Sequence, residues 1–205
     1  MPLYHVLIGL LGIGLLCVAA GYEAMALLAV LIWKARRVHT PSSQPAQPVT
    51  VLKPLCGAEP GLYENLRSFC LQDYPQYQIV FGIQDEADPA LQIVARLIQE
   101  FPTLPMDVVV SGKQHGSNRK ISSLINMVPR AQHDVLMIAD SDALVGPDYL
   151  SSMVAPLSDP GVGLVTCVYR GMPTSKVWSR LGAMYVNEWY MPSVLLARMF
   201  GHREY

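Results

Sequence analysis

An α/β architecture with a mostly parallel sheet, preceded by one membrane-spanning helix, is predicted by three features of the sequence. Segments of strand character alternate with segments of helical spacing from Val49 onward. The strand-like runs, such as IVFGI and VLMIA, are continuously apolar, as suits strands covered on both faces. The stretch Leu3–Trp33 holds one carboxylate, Glu23, and no Lys or Arg.

That first stretch exceeds the ~20 apolar residues that a transmembrane helix needs. A cleaved signal peptide would carry a basic residue ahead of a shorter apolar core. Here no cation precedes the run, and it continues past the small-residue VAAG. An uncleaved anchor is therefore expected over residues 1–37, with its basic flank Lys34, Arg36 and Arg37. Cations after the span and none before it direct the rest of the chain to the cytoplasm. Glu23 reads as a group near one end of an over-long span. Residues 38–48, rich in Pro, Ser and Gln, read as a linker, and 49–205 as the folded domain.

Within that domain Val49–Leu55 is the first expected strand and Gly61–Gln72 a helix with Leu62, Leu66 and Phe69 on one face. Tyr77–Asp85 is the second strand. Asp88–Phe101 is a helix opened by an Asp cap and a first-turn proline, with Leu91, Val94, Leu97 and Ile98 inward. MDVVVSG is the third strand, KISSLINMV a short helix and DVLMIADSD the fourth strand. PDYLSSMVAPL is a further helix, and Val162–Tyr169 reads as a fifth strand. Val177–Gly201 is helical, either with its Trp and Tyr residues at a membrane surface or as a core-facing helix broken near Pro192.

Composition narrows the function classes. The formal net charge is −1, so no basic excess points to nucleic acid. The four cysteines, Cys17, Cys56, Cys70 and Cys167, form no CxxC pair and lie near no matching His cluster, and read as small hydrophobes. No GxxxxGK[ST] or GxGxxG is present.

The acidic residues gather at strand ends, where ligands of parallel sheets bind. Asp140 and Asp142 close the fourth strand. In an extended segment, residues two apart share a side, and paired carboxylates there suit a hard divalent ion shared with a diphosphate. Taken alone, the tripeptide reads more readily as turn chemistry. Asp85, closing the second strand, delivers another carboxylate to the same edge. The segment SGKQHGSNRKISSL supplies Lys113, Arg119 and Lys120, with Lys120 opening a helix whose N-terminus favours anions.

These residues resemble a family. VLKPLCGAEPGLYENLRSFCLQDYPQYQIVFGIQDEADPA, then GSNRKISSL, then IADSDALVGPDYL look like a family-2 glycosyltransferase of the ceramide glucosyltransferase-like branch. Within that branch they are most similar to the bacterial hopanoid-biosynthesis-associated glycosyltransferases. The resemblance implies a GT-A-like (Rossmann-like) fold and a nucleotide-sugar donor, such as a UDP-sugar. It also implies a divalent metal (Mg2+ or Mn2+), a membrane-lipid acceptor, inversion at the anomeric carbon and a place in the bacterial inner membrane. By the same resemblance Asp85, Asn118, Lys120 and Asp140 would bind the donor, and Asp140 with Asp142 the metal. The family's later aspartate, expected as general base, and its Q/R-x-x-R-W motif have no counterpart up to Tyr205. The expectation is a domain that stops before the acceptor half. Glu188 is an available carboxylate that nothing in its context marks as a base. A non-catalytic, nucleotide-binding membrane protein is the alternative. A nucleotidyltransferase is a third reading, disfavoured because no Gly-rich loop follows the first strand.

Overall fold

The computed structural model describes residues 3–35 and 47–201. The expected cations Arg36 and Arg37, most of the 38–48 linker and the last four residues lie outside the described residues. Element order is α1 (Leu3–Ala35), β1 (Val49–Pro54), α2 (Leu62–Cys70), β2 (Tyr77–Ile83), α3 (Ala90–Glu100), β3 (Met106–Val110) and α4 (Arg119–Met127). Then follow β4 (Val135–Ile138), α5 (Tyr149–Val154), α6 (Val177–Met184), a π-helical turn (Tyr185–Tyr190) and α7 (Met191–Met199). The described residues form two compact units, 47–165 and 3–35 with 166–201.

In the first of these units the sheet runs β3-β2-β1-β4, and every pairing is parallel. The chain winds outward from β1 to β3, then returns to place β4 on the other side of β1. That reversal makes β1/β4 the switch point of an α/β sheet, with a crevice beyond the strands' carboxyl ends. All seven residues of β2 are buried, which accounts for the apolar run IVFGI within it.

One sheet face, with Val49, Val51, Ile79, Phe81, Ile83 and Met137, packs against Leu66 and Phe69 of α2, Val94 and Leu97 of α3 and Leu150 of α5. The buried stripe of α3 is Ala90, Val94 and Leu97, while Ile98 is exposed; the apolar face sits one position earlier than its spacing suggested. The other face is thinner: Leu52 and Val80 meet Leu124 and Met127 of α4. At Gly82 a Cβ would lie 2.3 Å from the Met127 sulfur and 2.7 Å from Ser123 Oγ, so only glycine admits α4 this close.

Polar groups on the α4 side are satisfied. Thr50 Oγ1 and Gln132 N–H each donate to Gln78 Oε1 at 3.0 Å. Gln78 Nε2 donates to Asp107 Oδ2 at 2.6 Å and to the Arg130 carbonyl at 3.0 Å. One amide thus links three strands to the segment entering β4.

The expected fifth strand, Val162–Tyr169, is irregular, and Leu164 in it is 77% exposed. An apolar run makes a strand only where a ladder partner accepts it. Among the described residues the sheet ends at β4, whose Leu136 and Ile138 are exposed; its apolar run, expected for a strand covered on both faces, is covered on one only, because no helix packs over that end of the second face.

The second unit is helical. α1 has 33 residues, and its most apolar 18-residue window has a mean hydropathy of 2.3, long and apolar enough to cross a membrane. It is exposed almost throughout, apart from Ala26 and Ala29. α7 packs on α1, and small residues permit such close approach. The helix expected to break near Pro192 does not. A π turn precedes the proline, loosening the ladder where the missing N–H and the ring would otherwise force a kink.

Candidate functional site at the β1–β4 switch point

A cleft of about 450 Å3 opens at the carboxyl ends of β1 and β4. Its lining includes Pro54, Leu55 and Glu59 from the end of β1 and the loop after it, Gln84 from the end of β2, Arg119 and Lys120 from α4, and Asp140 with Asp142. The loop is shaped by Gly57, at φ 74°, whose N–H donates to both carboxylate oxygens of Asp88 at 3.1 and 2.9 Å. Asp88 also accepts from Ala90 N–H at 2.9 Å, so it opens α3, as its sequence context suggested, and ties the cleft wall as well.

Asp140 and Asp142 reach the cleft by a different geometry from the one expected. β4 ends at Ile138, and the aspartates sit in a turn closed by Ala143 N–H to the Asp140 carbonyl at 3.3 Å. The alternating rule of an extended strand does not apply to them. Both residues line the cleft from this turn. Asp140 pairs with Lys120, the second residue of α4.

Asn118 caps α4 by accepting from Ile121 N–H at 3.1 Å, which satisfies one of the first-turn N–H groups that lack a partner within the helix. Arg119 Nε donates to Gln84 Oε1 at 2.9 Å while Gln84 Nε2 donates back to the Arg119 carbonyl at 2.8 Å. This reciprocal pair fixes the start of α4 against the end of β2. Of the five residues singled out from the sequence, Lys120, Asp140 and Asp142 line one cleft. Asp85 and Asn118 are not among its lining residues; Asp85 folds back to accept from Ala87 N–H at 2.9 Å.

Lys53 was missed. It is fully buried at the end of β1, its Nζ donates to the Asp140 carbonyl at 2.5 Å, and the same ammonium lies 3.8 Å from the centroid of the Phe69 ring. Burial pulls its pKa down to about 7, although the charges of Asp140 and Asp142 favour the protonated form. The available signal was a lone lysine in VTVLKPL, a run otherwise suited to complete burial.

The donor set suits a cation held jointly with a ligand. Among the described residues no cluster of three or more His, Cys, Asp or Glu side chains could hold a metal alone. Two carboxylates on one turn match the one or two protein ligands that magnesium-like ions take beside phosphate oxygens and water.

Comparison with known proteins bears on the family and the fold. The family model described as glycosyl transferase family 21 matches residues 15–204. Ceramide glucosyltransferase 1 of Caenorhabditis elegans is 28% identical over 120 residues, which is 58% of this chain and 26% of that protein. The ceramide glucosyltransferase of Gibberella zeae is 30% identical over 130 residues, 58% of this chain and 25% of its own. This chain therefore spans about a quarter of the length of these curated relatives. Among solved structures, a mannosyltransferase from Pyrobaculum calidifontis in complex with GDP-Man and Mn2+ matches with a TM-score of 0.57 and 27% identity, covering 73% of this chain and 48% of that one. The parallel α/β sheet is thus that of GT-A glycosyltransferases.

Proposed function

The chain belongs to glycosyl transferase family 21, and from that premise we propose that it is the donor-binding portion of a membrane-anchored glycosyltransferase. The reaction is transfer of a sugar from a nucleotide diphosphate sugar to a lipid hydroxyl, with inversion at the anomeric carbon. One observation carries the reading: Lys120, Asp140 and Asp142 line a single cleft at the sheet's switch point. A neighbour of the same fold holds GDP-Man and Mn2+.

In this reading Asp140 and Asp142 hold a divalent cation together with the donor diphosphate. The ion, when bound, offsets the negative charge that develops on the leaving diphosphate. Lys120 exchanges its partner Asp140 for a donor phosphate oxygen, at a helix end that favours anions. Asn118 acts through the helix it caps, and Asp85 meets the nucleoside from the end of β2. Lys53 holds the carbonyl of Asp140 and so the turn that presents both carboxylates.

The donor we propose is a UDP-sugar and the acceptor a ceramide-like or hopanoid lipid; the names of the curated relatives support the ceramide-like class. α1 anchors the chain in a bacterial inner membrane, with the cleft on the cytoplasmic side, in keeping with Lys34 at its end. A second reading, nucleotide binding without transfer, is favoured by the commitment of both cleft aspartates to the donor side.

Calorimetry of the detergent-solubilised chain with UDP-glucose and GDP-mannose, each with and without Mn2+, tests the donor site. Manganese-dependent binding that is lost in Asp140→Ala is the expected result. Binding that is metal-independent and unchanged in that variant overturns it. Transfer of labelled sugar to ceramide in the same preparation would exclude the second reading.

A further inference from the structure

The helix formed by α6, the π turn and α7 has two unlike sides along its first half. The inner side is occupied by the chain's own preceding loop. Ser179 Oγ accepts from Thr174 N–H at 2.9 Å. Ala183 meets Gly171, where a Cβ would lie 2.8 Å from the Ala183 Cα. Asn187 accepts from Gly171 N–H at 2.8 Å and donates to its carbonyl at 3.0 Å. The outer side carries Trp178, Leu181, Tyr185 and Trp189, at helical spacing, with exposures of 83, 49, 60 and 58%. So large an apolar stripe left open on an ordered helix marks an interaction surface.

We propose that this stripe seats the helix in the headgroup–acyl boundary of the bilayer crossed by α1, parallel to the membrane plane. The proposal rests on α1 being a span, and not on the donor site. Three observations select a lipid surface as the occupant. The surface is continuous with α1, because α7 packs on α1 and the Trp189 ring lies 5.7 Å from that of Tyr22. Tyr22 adjoins Glu23, the carboxylate read as lying near one end of the over-long span, and stands nineteen residues, about 29 Å, from Leu3. A hydrocarbon core that begins at Leu3 therefore ends at this contact, which sets it at the interface rather than the bilayer centre.

Chemistry is the second observation. Tryptophan and tyrosine rings are amphipathic and concentrate at the membrane–water boundary. The third is charge. Arg170, Lys176, Arg180 and Arg198 stand against the single carboxylate Glu188 across residues 170–201, a balance that suits anionic headgroups. Asn187 and Glu188 at mid-helix argue against a second crossing.

The test uses the full chain in vesicles of phosphatidylcholine and phosphatidylglycerol. Trp33 and Trp189 are replaced by Phe so that Trp178 is the sole tryptophan. Expected are blue-shifted emission, loss of most of that emission when the acyl chains are brominated just below the headgroups, and weak quenching by aqueous iodide. Three results overturn the proposal. The first is emission like that of free tryptophan with full iodide quenching. The second is quenching strongest with bromine at the bilayer centre, which means a second crossing. The third is shielding from both quenchers, which places protein over the stripe. A companion variant retaining only Trp33 reports separately on α1. Should the double Phe variant fail to fold, hydroxyl-radical footprinting of the wild-type chain decides the same question. Protection of Trp178 and Tyr185 in vesicles supports the proposal, and oxidation of Trp178 at the rate of free tryptophan overturns it.

Discussion

Lys53 makes the stability of the sheet domain depend on pH in a direction that can be calculated. Its folded-state pKa of about 7 lies below the ordinary lysine value of 10.5 that the unfolded chain shows. Between these values the unfolded chain holds a proton that the folded chain has released, so stability rises with pH, by about 1.4 kcal/mol per unit. Cys70 acts in the opposite sense. Burial pushes its thiol up to about 12 from 9.0, so above pH 9 the unfolded chain loses a proton that the folded chain keeps, and stability falls. The clean window is therefore pH 7 to 9, where Lys53 contributes a rise of about 2 kcal/mol, the folded amine being still half protonated at pH 7. Met in its place keeps the length and removes both charge and donor; its stability should be nearly flat over that window. At pH 6 this variant escapes the cost of a buried cation but forfeits the bond to the Asp140 carbonyl, worth about 1.5–3 kcal/mol. The assay is pulse-labelling of the buried Cys70 thiol across a urea series at pH 7, 8 and 9, without divalent ions, with the midpoint read at each pH. All three tryptophans lie outside the sheet domain, which makes this thiol a better reporter than fluorescence. A wild-type midpoint that does not move, or a Lys53→Met variant with the same rise, would refute the reasoning.

Two further substitutions test the thin α4 side of the sheet. Gly82→Ala forces a Cβ into the Met127 sulfur and should cost about 1–3 kcal/mol; adding Met127→Ala should recover part of the strain, read from the same urea midpoints. Gln78→Leu leaves the Thr50 hydroxyl and the Gln132 N–H without their acceptor, for a loss of at least about 2 kcal/mol; hydrogen exchange at Gln132 should speed up before the rest of the domain responds.

Much of the fold was legible because its signals are local. The apolar runs IVFGI in β2 and VLMI in β4, the Asp88-Pro89 start of α3 and the long apolar run of α1 each declare an element within a short window. The Val162–Tyr169 run shows the limit of such signals, since strand character in the chain supplies no neighbouring edge. The helix ending in α7 shows another: proline predicts a break, and a single π turn absorbs it.

The candidate site divides in the same way. Lys120, Asp140 and Asp142 were recognisable by residue type and order, because strand ends and helix starts of a parallel sheet converge on one edge. Their actual arrangement was not, since a turn rather than an extended strand aims the two carboxylates. Asp85 was marked by its strand end alone, and its side chain accepts from Ala87 N–H in a local turn that the strand pattern did not announce. The sequence by itself determined the alternating elements, the long apolar helix and the acidic edge, all properties of residues close together in the chain. Only the tertiary structure decided that Lys53 lies buried beneath Asp140, 87 residues away, with its ammonium over Phe69. A lysine's environment is set by what folds over it, and no window of the sequence contains that.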